Sequence, residues 1–225
     1  MCGRYSQASD IERLLARFLL APPGFPLAAR YNIAPTQEAP VVVFEAAREL
    51  VLCRWGLIPS WAKDAAIGAR MINARAETIL EKPSFKRPFQ RTRCLVLADG
   101  FYEWKKEGDG KKKTPMRIRL RSREPFAFAG LWDSWRSPEG KVIRSFTIIT
   151  TEANEALRPI HDRMPVILKP EEESAWLDPR SNPLQMAGLL GPYPAQEMEA
   201  YEVSTLVNSP RNDAPECITP AAEPK

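Results

Sequence analysis

Only one histidine, His161, occurs in 225 residues, and the four cysteines (Cys2, Cys53, Cys94, Cys217) stand far apart with no CxxC pair. That scarcity argues against a Cys/His zinc site, so neither a metal nor another cofactor is expected. It also argues against a disulfide scaffold and suits reduced thiols in a cytoplasmic setting. No apolar run approaches the roughly 18 residues that a membrane-spanning helix needs. No basic segment followed by an apolar stretch opens the chain, so a secretory leader is not expected. The 11 glycines never fall in the GxxxxGK[ST] spacing that cradles phosphates. There is no internal repeat, linker or low-complexity stretch, so residues 1–225 read as one domain with a proline-rich tail from about 209.

Proline, in contrast, is plentiful, at 22 residues spread through the chain. That favours short elements and many loops over a helix bundle. The net charge of +4 permits nucleic acid as a partner without requiring it. Hydrophobic spacing predicts a helix over 9–20, capped by Ser9 or Asp10, with Ile11, Leu14, Leu15, Phe18 and Leu19 on one face. Strands are predicted at 40–45, 50–54, 93–98, 116–120, 126–132, 142–150, 166–168 and 199–204. Short helices are predicted from Ser84, near Thr151, over 171–177 and over 183–190. Lysines 105, 106 and 111–113 read as a solvated hairpin tip. Eight or nine strands with few helices predict an α+β domain built on a curled, largely antiparallel, barrel-like sheet with short flanking helices.

The chemistry begins at Met1-Cys2. A methionine before a small residue is normally trimmed, which would leave Cys2 with a free α-amine beside its thiol. The reference pKa values, about 7.7–8.0 for the amine and 8.5 for the thiol, make both reactive forms accessible near neutrality. The amine condenses with an aldehyde to an imine, and the thiol then closes a five-membered thiazolidine. The same residue suits amidolysis by an N-terminal nucleophile. Further along stand Asn73, Glu103 set among Phe101, Tyr102 and Trp104, and His161. Together with Cys2 they supply a nucleophile, an orienting amide, a carboxylate and an imidazole, a set suited to proton-coupled carbonyl chemistry. Each alone has an ordinary alternative: a frayed terminus, a turn former, a surface charge, a loop histidine. Trp55 and Trp61 lie on one loop, where tryptophan either plugs a core or offers a stacking surface.

Six ordered segments resemble motifs of the SOS-response-associated peptidase (SRAP) family: Met1-Cys2-Gly3-Arg4-Tyr5, Tyr31-Asn32-Ile33-Ala34-Pro35, Trp55-Gly56-Leu57-Ile58-Pro59, Ile72-Asn73-Ala74-Arg75, Gly100-Phe101-Tyr102-Glu103-Trp104 and Ile160-His161-Asp162-Arg163-Met164-Pro165. Val207-Asn208 fits as well. The resemblance implies a protein that senses abasic sites in single-stranded DNA and at single/double-strand junctions, and crosslinks to them covalently. It implies Cys2 as the thiazolidine-forming nucleophile and Glu103 as general acid/base. Asn73 would position the α-amine, and His161 would hold the sugar hydroxyls and assist proton transfer. The expected DNA contacts are Arg4, Pro35, Trp55, Trp61, Arg75, Thr150 and Arg163. Lyase and autoproteolytic peptidase activities are further implied. The expected state is a cytoplasmic monomer, nucleoid-associated when bound to DNA. A thiol peptidase without a DNA role and a non-catalytic reader of modified bases stay open as alternatives.

Overall fold

The computed structural model describes residues 2–108 and 112–221; Met1 and Lys111 therefore lie outside the described residues. Thirteen strands occur among them: β1 (Tyr5–Gln7), β2 (Arg30–Ile33), β3 (Glu38–Phe44), β4 (Arg48–Trp55), β5 (Asn73–Arg75), β6 (Arg93–Ala98), β7 (Gly100–Glu107), β8 (Lys112–Leu120), β9 (Phe126–Arg136), β10 (Val142–Glu152), β11 (Arg163–Pro165), β12 (Ile167–Leu168) and β13 (Met198–Glu202). Four short helices join them: α1 (Ile11–Phe18), α2 (Pro83–Arg91), α3 (Glu173–Leu177) and α4 (Pro183–Ala187). The fold is α+β, as the sequence predicts.

Pairing of β3 with β4, β4 with β10, β10 with β9, β9 with β6 and β6 with β3 closes a ring of five strands. Only the β4–β10 contact in that ring is parallel. Strands β5, β11 and β12 attach to its rim. A second sheet runs in the order β13-β8-β7-β1-β2.

The strand period explains why both faces of the ring are apolar. In β6, Cys94, Val96 and Ala98 join a core containing Tyr5, Trp55, Phe101 and Phe128, contributed by both sheets. Alternate residues Leu95 and Leu97 face a second core with Leu14, Phe89 and Trp176 from the helices. Strand β10 divides in the same way, with Phe146 and Ile148 on one side and Ile149 on the other. A run such as RCLVLA therefore reads as continuously apolar although it serves two layers.

Helix α1 starts at the expected cap: the Asp10 side chain accepts from the Arg13 N–H. The helix expected near Thr151 does not form. Strand β10 continues to Glu152, held by β11, and the chain then turns without a regular helix. Asn154 organises that turn, its Oδ1 accepting from the Leu157 N–H at 3.0 Å. The segment after residue 209 packs against the sheet: Cys217 is buried, and Val203 bridges to Pro220. No helix among the described residues is long and apolar enough to cross a membrane.

Candidate functional site

Two sheets deliver the four candidate catalytic residues to one place. Strand β1 lies antiparallel to β7, with Tyr5 opposite Phe101, and the Tyr102 N–H donates to the Arg4 carbonyl at 2.9 Å. The residues before β1 therefore run alongside those after Phe101, which carries Cys2 towards Glu103. From the other sheet, β5 pairs in parallel with β10 at Ile148, Ile149 and Thr150. Asn73 Nδ2 then donates to the Cys2 carbonyl at 2.8 Å. On the opposite side of β10, β11 pairs Arg163 with Glu152 and Pro165 with Thr150, bringing the His161–Asp162 turn to the same rim.

The electrostatics of these groups follow from this placement. Glu103 is only 5 % exposed, and burial lifts its carboxyl pKa to about 7. Asp162 adds to that rise. Burial, with a smaller contribution from Glu103, drives the Cys2 thiol far above its usual range. The expectation of an accessible thiolate is therefore corrected: a fully buried thiol beside a carboxyl stays protonated near neutrality.

His161 is partly exposed, and burial lowers its pKa. Its Nδ1 accepts from the Arg163 backbone N–H at 3.0 Å, which places the proton of the neutral ring on Nε2. Asp162 Oδ1 stands 2.9 Å from Nδ1, so an ion pair forms there only when the ring is protonated.

The expected DNA contacts divide by accessibility. Trp61 is 60 % exposed, Arg75 is exposed and Pro35 is half-buried. Trp55 is a correction. It is completely buried, edge-on to Tyr5 at 5.2 Å and stacked on Phe146 at 6.2 Å, and its Nε1 donates to the Ile72 carbonyl at 2.9 Å. It plugs the core and has no face left for a base. Gly56 and Gly68 permit this placement. Gly56 has φ +117°, and a Cβ there would stand 2.5 Å from the Gly68 carbonyl oxygen.

Thr150 is also fully buried, so a direct DNA contact is corrected to a supporting one. Its carbonyl accepts from Arg163 Nη2 at 2.7 Å, and the same nitrogen reaches Glu77 Oε2 at 3.0 Å. Arg163 is thus forked onto Glu77, and a phosphate would have to displace that carboxylate. Arg4 Nη1 donates to Asn32 Oδ1 at 2.8 Å and to the Val207 carbonyl at 2.7 Å, while its guanidinium lies 5.7 Å above Trp104.

Several contributors escaped the sequence reading. Glu77 fixes Arg163, Asp162 tunes Glu103 and His161, and Asn32 ties Arg4 to the C-terminal segment through Nδ2 donation to the carbonyls of Val207, Ser209 and Asn212. Asn32, Glu77 and Asp162 all sit within or beside the motif segments, but a motif gives no hint of which atoms meet.

The model of the SOS response associated peptidase (SRAP) family matches residues 1–210. The chain is 49 % identical over 222 residues to the abasic site processing protein YoqW of Bacillus subtilis, covering 97 % of this chain and 99 % of that one. It is 38 % identical to the abasic site processing protein HMCES of Gallus gallus, covering 84 % of this chain and 66 % of that one. A crystal structure of a Bacteroides thetaiotaomicron protein superposes with a TM-score of 0.88 at 30 % identity, covering 98 % of this chain and all of the other. A family model spanning nearly the whole chain, a relative matched end to end and an equally complete structural match agree: the chain belongs to the SOS response associated peptidase family.

Proposed function

We propose that this protein processes abasic sites in DNA by trapping the ring-opened sugar aldehyde on Cys2, shielding the lesion as a covalent thiazolidine crosslink. The observation that carries the reading is a buried carboxyl titrating near neutrality, Glu103, within electrostatic reach of a Cys2 whose carbonyl Asn73 fixes at 2.8 Å. An abasic sugar is a masked aldehyde, and the abasic-site names of the relatives support the same substrate.

The steps balance without a redox partner. Once Met1 is removed, the Cys2 amine attacks the aldehyde carbon and water leaves, giving an imine. The S–H then adds across C=N, forming the C–S bond and placing a proton on nitrogen. Glu103 is suited to protonate the departing hydroxyl and to take the thiol proton, because its pKa of about 7 populates both forms. His161, neutral and with its proton on Nε2, faces the same rim to hold a sugar hydroxyl. From the imine, loss of the neighbouring C–H proton and of the phosphate would give strand cleavage, a lyase outcome. Release of Cys2 by autoproteolysis would be a peptidase activity of the chain on itself. A thiolate-first peptidase acting on other chains is less consistent with a thiol that burial keeps protonated.

The test is incubation of the purified protein with a single-stranded oligonucleotide bearing one abasic site, followed by heat and denaturing electrophoresis. A heat-stable shifted band is expected, and its absence at any protein excess overturns the reading. The intact mass of the active protein is expected to fall short of the encoded mass by one methionine; full activity with Met1 retained would exclude thiazolidine formation.

The two tryptophans give a paired prediction. Trp55→Ala removes a core side chain and should cost about 3–5 kcal/mol of stability, read by chemical denaturation. Trp61→Ala should leave the denaturation midpoint in place and weaken binding to single-stranded DNA by about 1–3 kcal/mol. Arg75→Ala should lower affinity alike for all sequences and reduce the salt slope by about one unit or less. Unchanged affinity in both surface variants would move the DNA path elsewhere.

A further inference from the structure

We infer that Lys106 and Lys113, facing each other across the β7–β8 hairpin, form a phosphate clamp that holds the single strand beside the site; this rests on the DNA reading above. The register sets Lys106 directly opposite Lys113, with Lys105 opposite Thr114 and Glu107 opposite Lys112. Like charges directly opposed in a sheet destabilise it. Among the described residues of the hairpin, the Glu107 carboxylate does not relieve the pair: it is taken by Lys112 at 3.2 Å and by the Thr114 hydroxyl. Both lysines are exposed, so a polyanion can reach them.

Position links the pair to the site. Lys106 lies on the same strand as Glu103 but on its opposite face, and its charge extends to His161, where it makes a small contribution to depressing the imidazole pKa. Strand alternation puts Lys106 on the face of Trp104, which carries the Arg4 guanidinium 5.7 Å above its ring. Arg4 and Lys106 thus place positive charge on the Trp104 face of β7. A backbone phosphate is the partner that suits it, because the repulsion present in the free hairpin is relieved when the strand binds.

The clamp predicts opposite signs for stability and binding. Lys106→Gln and Lys113→Gln, made in the full-length protein, should each raise the thermal midpoint, since either removes the repulsion. Each should weaken binding of an unmodified oligothymidine by roughly fivefold at about 0.1 M salt and lower the salt slope by about 0.7, the share of one phosphate contact on a single strand. Lys112→Gln serves as the control. It removes the same charge from the same hairpin but from a neutralised pair, and should change affinity less than twofold.

Lys106→Gln should also raise the His161 pKa, followed by NMR. Unchanged affinity and slope in both variants, with the wild type still crosslinking an abasic oligonucleotide, overturns the clamp while leaving the proposed function standing. An equal loss in Lys112→Gln also overturns it, because the effect would then be that of net charge alone. If the wild type neither binds nor crosslinks, the DNA reading itself falls.

Discussion

Glu103→Gln is expected to slow crosslink formation by about 10²–10⁴-fold at saturating DNA, with affinity little changed. Gln keeps the size and most of the polarity of the side chain but cannot exchange a proton. Carbinolamine dehydration needs the acid form, which is lost as pH rises through about 7. Thiol addition needs the carboxylate form, which is lost as pH falls through the same value. Single-turnover crosslinking across pH 5.5–8.5 should therefore show a wild-type inflection near 7 that disappears in the variant. A wild-type rate throughout would make the carboxylate structural.

The same substitution should affect stability in a direction fixed by linkage. The folded-state pKa is raised from 4.5 to about 7, so between these values the native state binds more protons than the unfolded chain. Wild-type stability conferred by the protonated group is present below about 4.5 and is lost as pH rises through 7, by an amount on the order of 3 kcal/mol. Glu103→Gln has no such loss. Its thermal midpoint relative to wild type should therefore climb from pH 5 to pH 8, and a difference independent of pH would contradict the buried-carboxyl assignment. Activity and stability pull in opposite directions at this residue, as is common where a charge is buried for chemistry.

Cys2→Ser should abolish the heat-stable product while leaving DNA binding intact. The serine amine still forms an imine, but the hydroxyl closes no stable sulfur ring. An adduct should then be seen only after borohydride reduction, and the unreduced band should fall to background on heating. Burial raises the Cys2 thiol pKa, and in the proposed mechanism the amine therefore engages the aldehyde before sulfur adds. Replacement of a buried thiol by a slightly smaller hydroxyl should leave the fold in place, which circular dichroism checks. An adduct from Cys2→Ser as heat-stable as that of wild type would remove sulfur from the link.

The parts of the fold that were legible in the sequence are those whose signal is local. The spacing of Leu14 and Phe18 and the Asp10 cap marked α1, and β-branched and apolar runs marked β3, β6, β9 and β10. Apart from the eight-residue β7, whose residues read as an aromatic segment running into a hairpin tip, the strands that went unseen, β1, β2, β5 and β11, have three or four residues each. They exist because a distant partner accepts their hydrogen bonds, and pairing between remote segments leaves no period in either one. These short strands also orient the site: β1 follows Cys2, β5 begins at Asn73, and β11 begins two residues after His161.

The ordered motifs determined the family, and the residue types determined the chemistry available: an amine and a thiol on one residue, an amide, a carboxyl and an imidazole. Only the tertiary structure decided that Asn73 meets the Cys2 carbonyl, that Glu103 titrates near 7 and that the Cys2 thiol does not ionise near neutrality. It alone separated Trp55 in the core from Trp61 at the surface, two residues that look equivalent on one loop. The physical reason is the same throughout. Reactivity and accessibility depend on desolvation and on the charges nearby, and these are set by which distant strands close around a side chain, not by its neighbours in sequence.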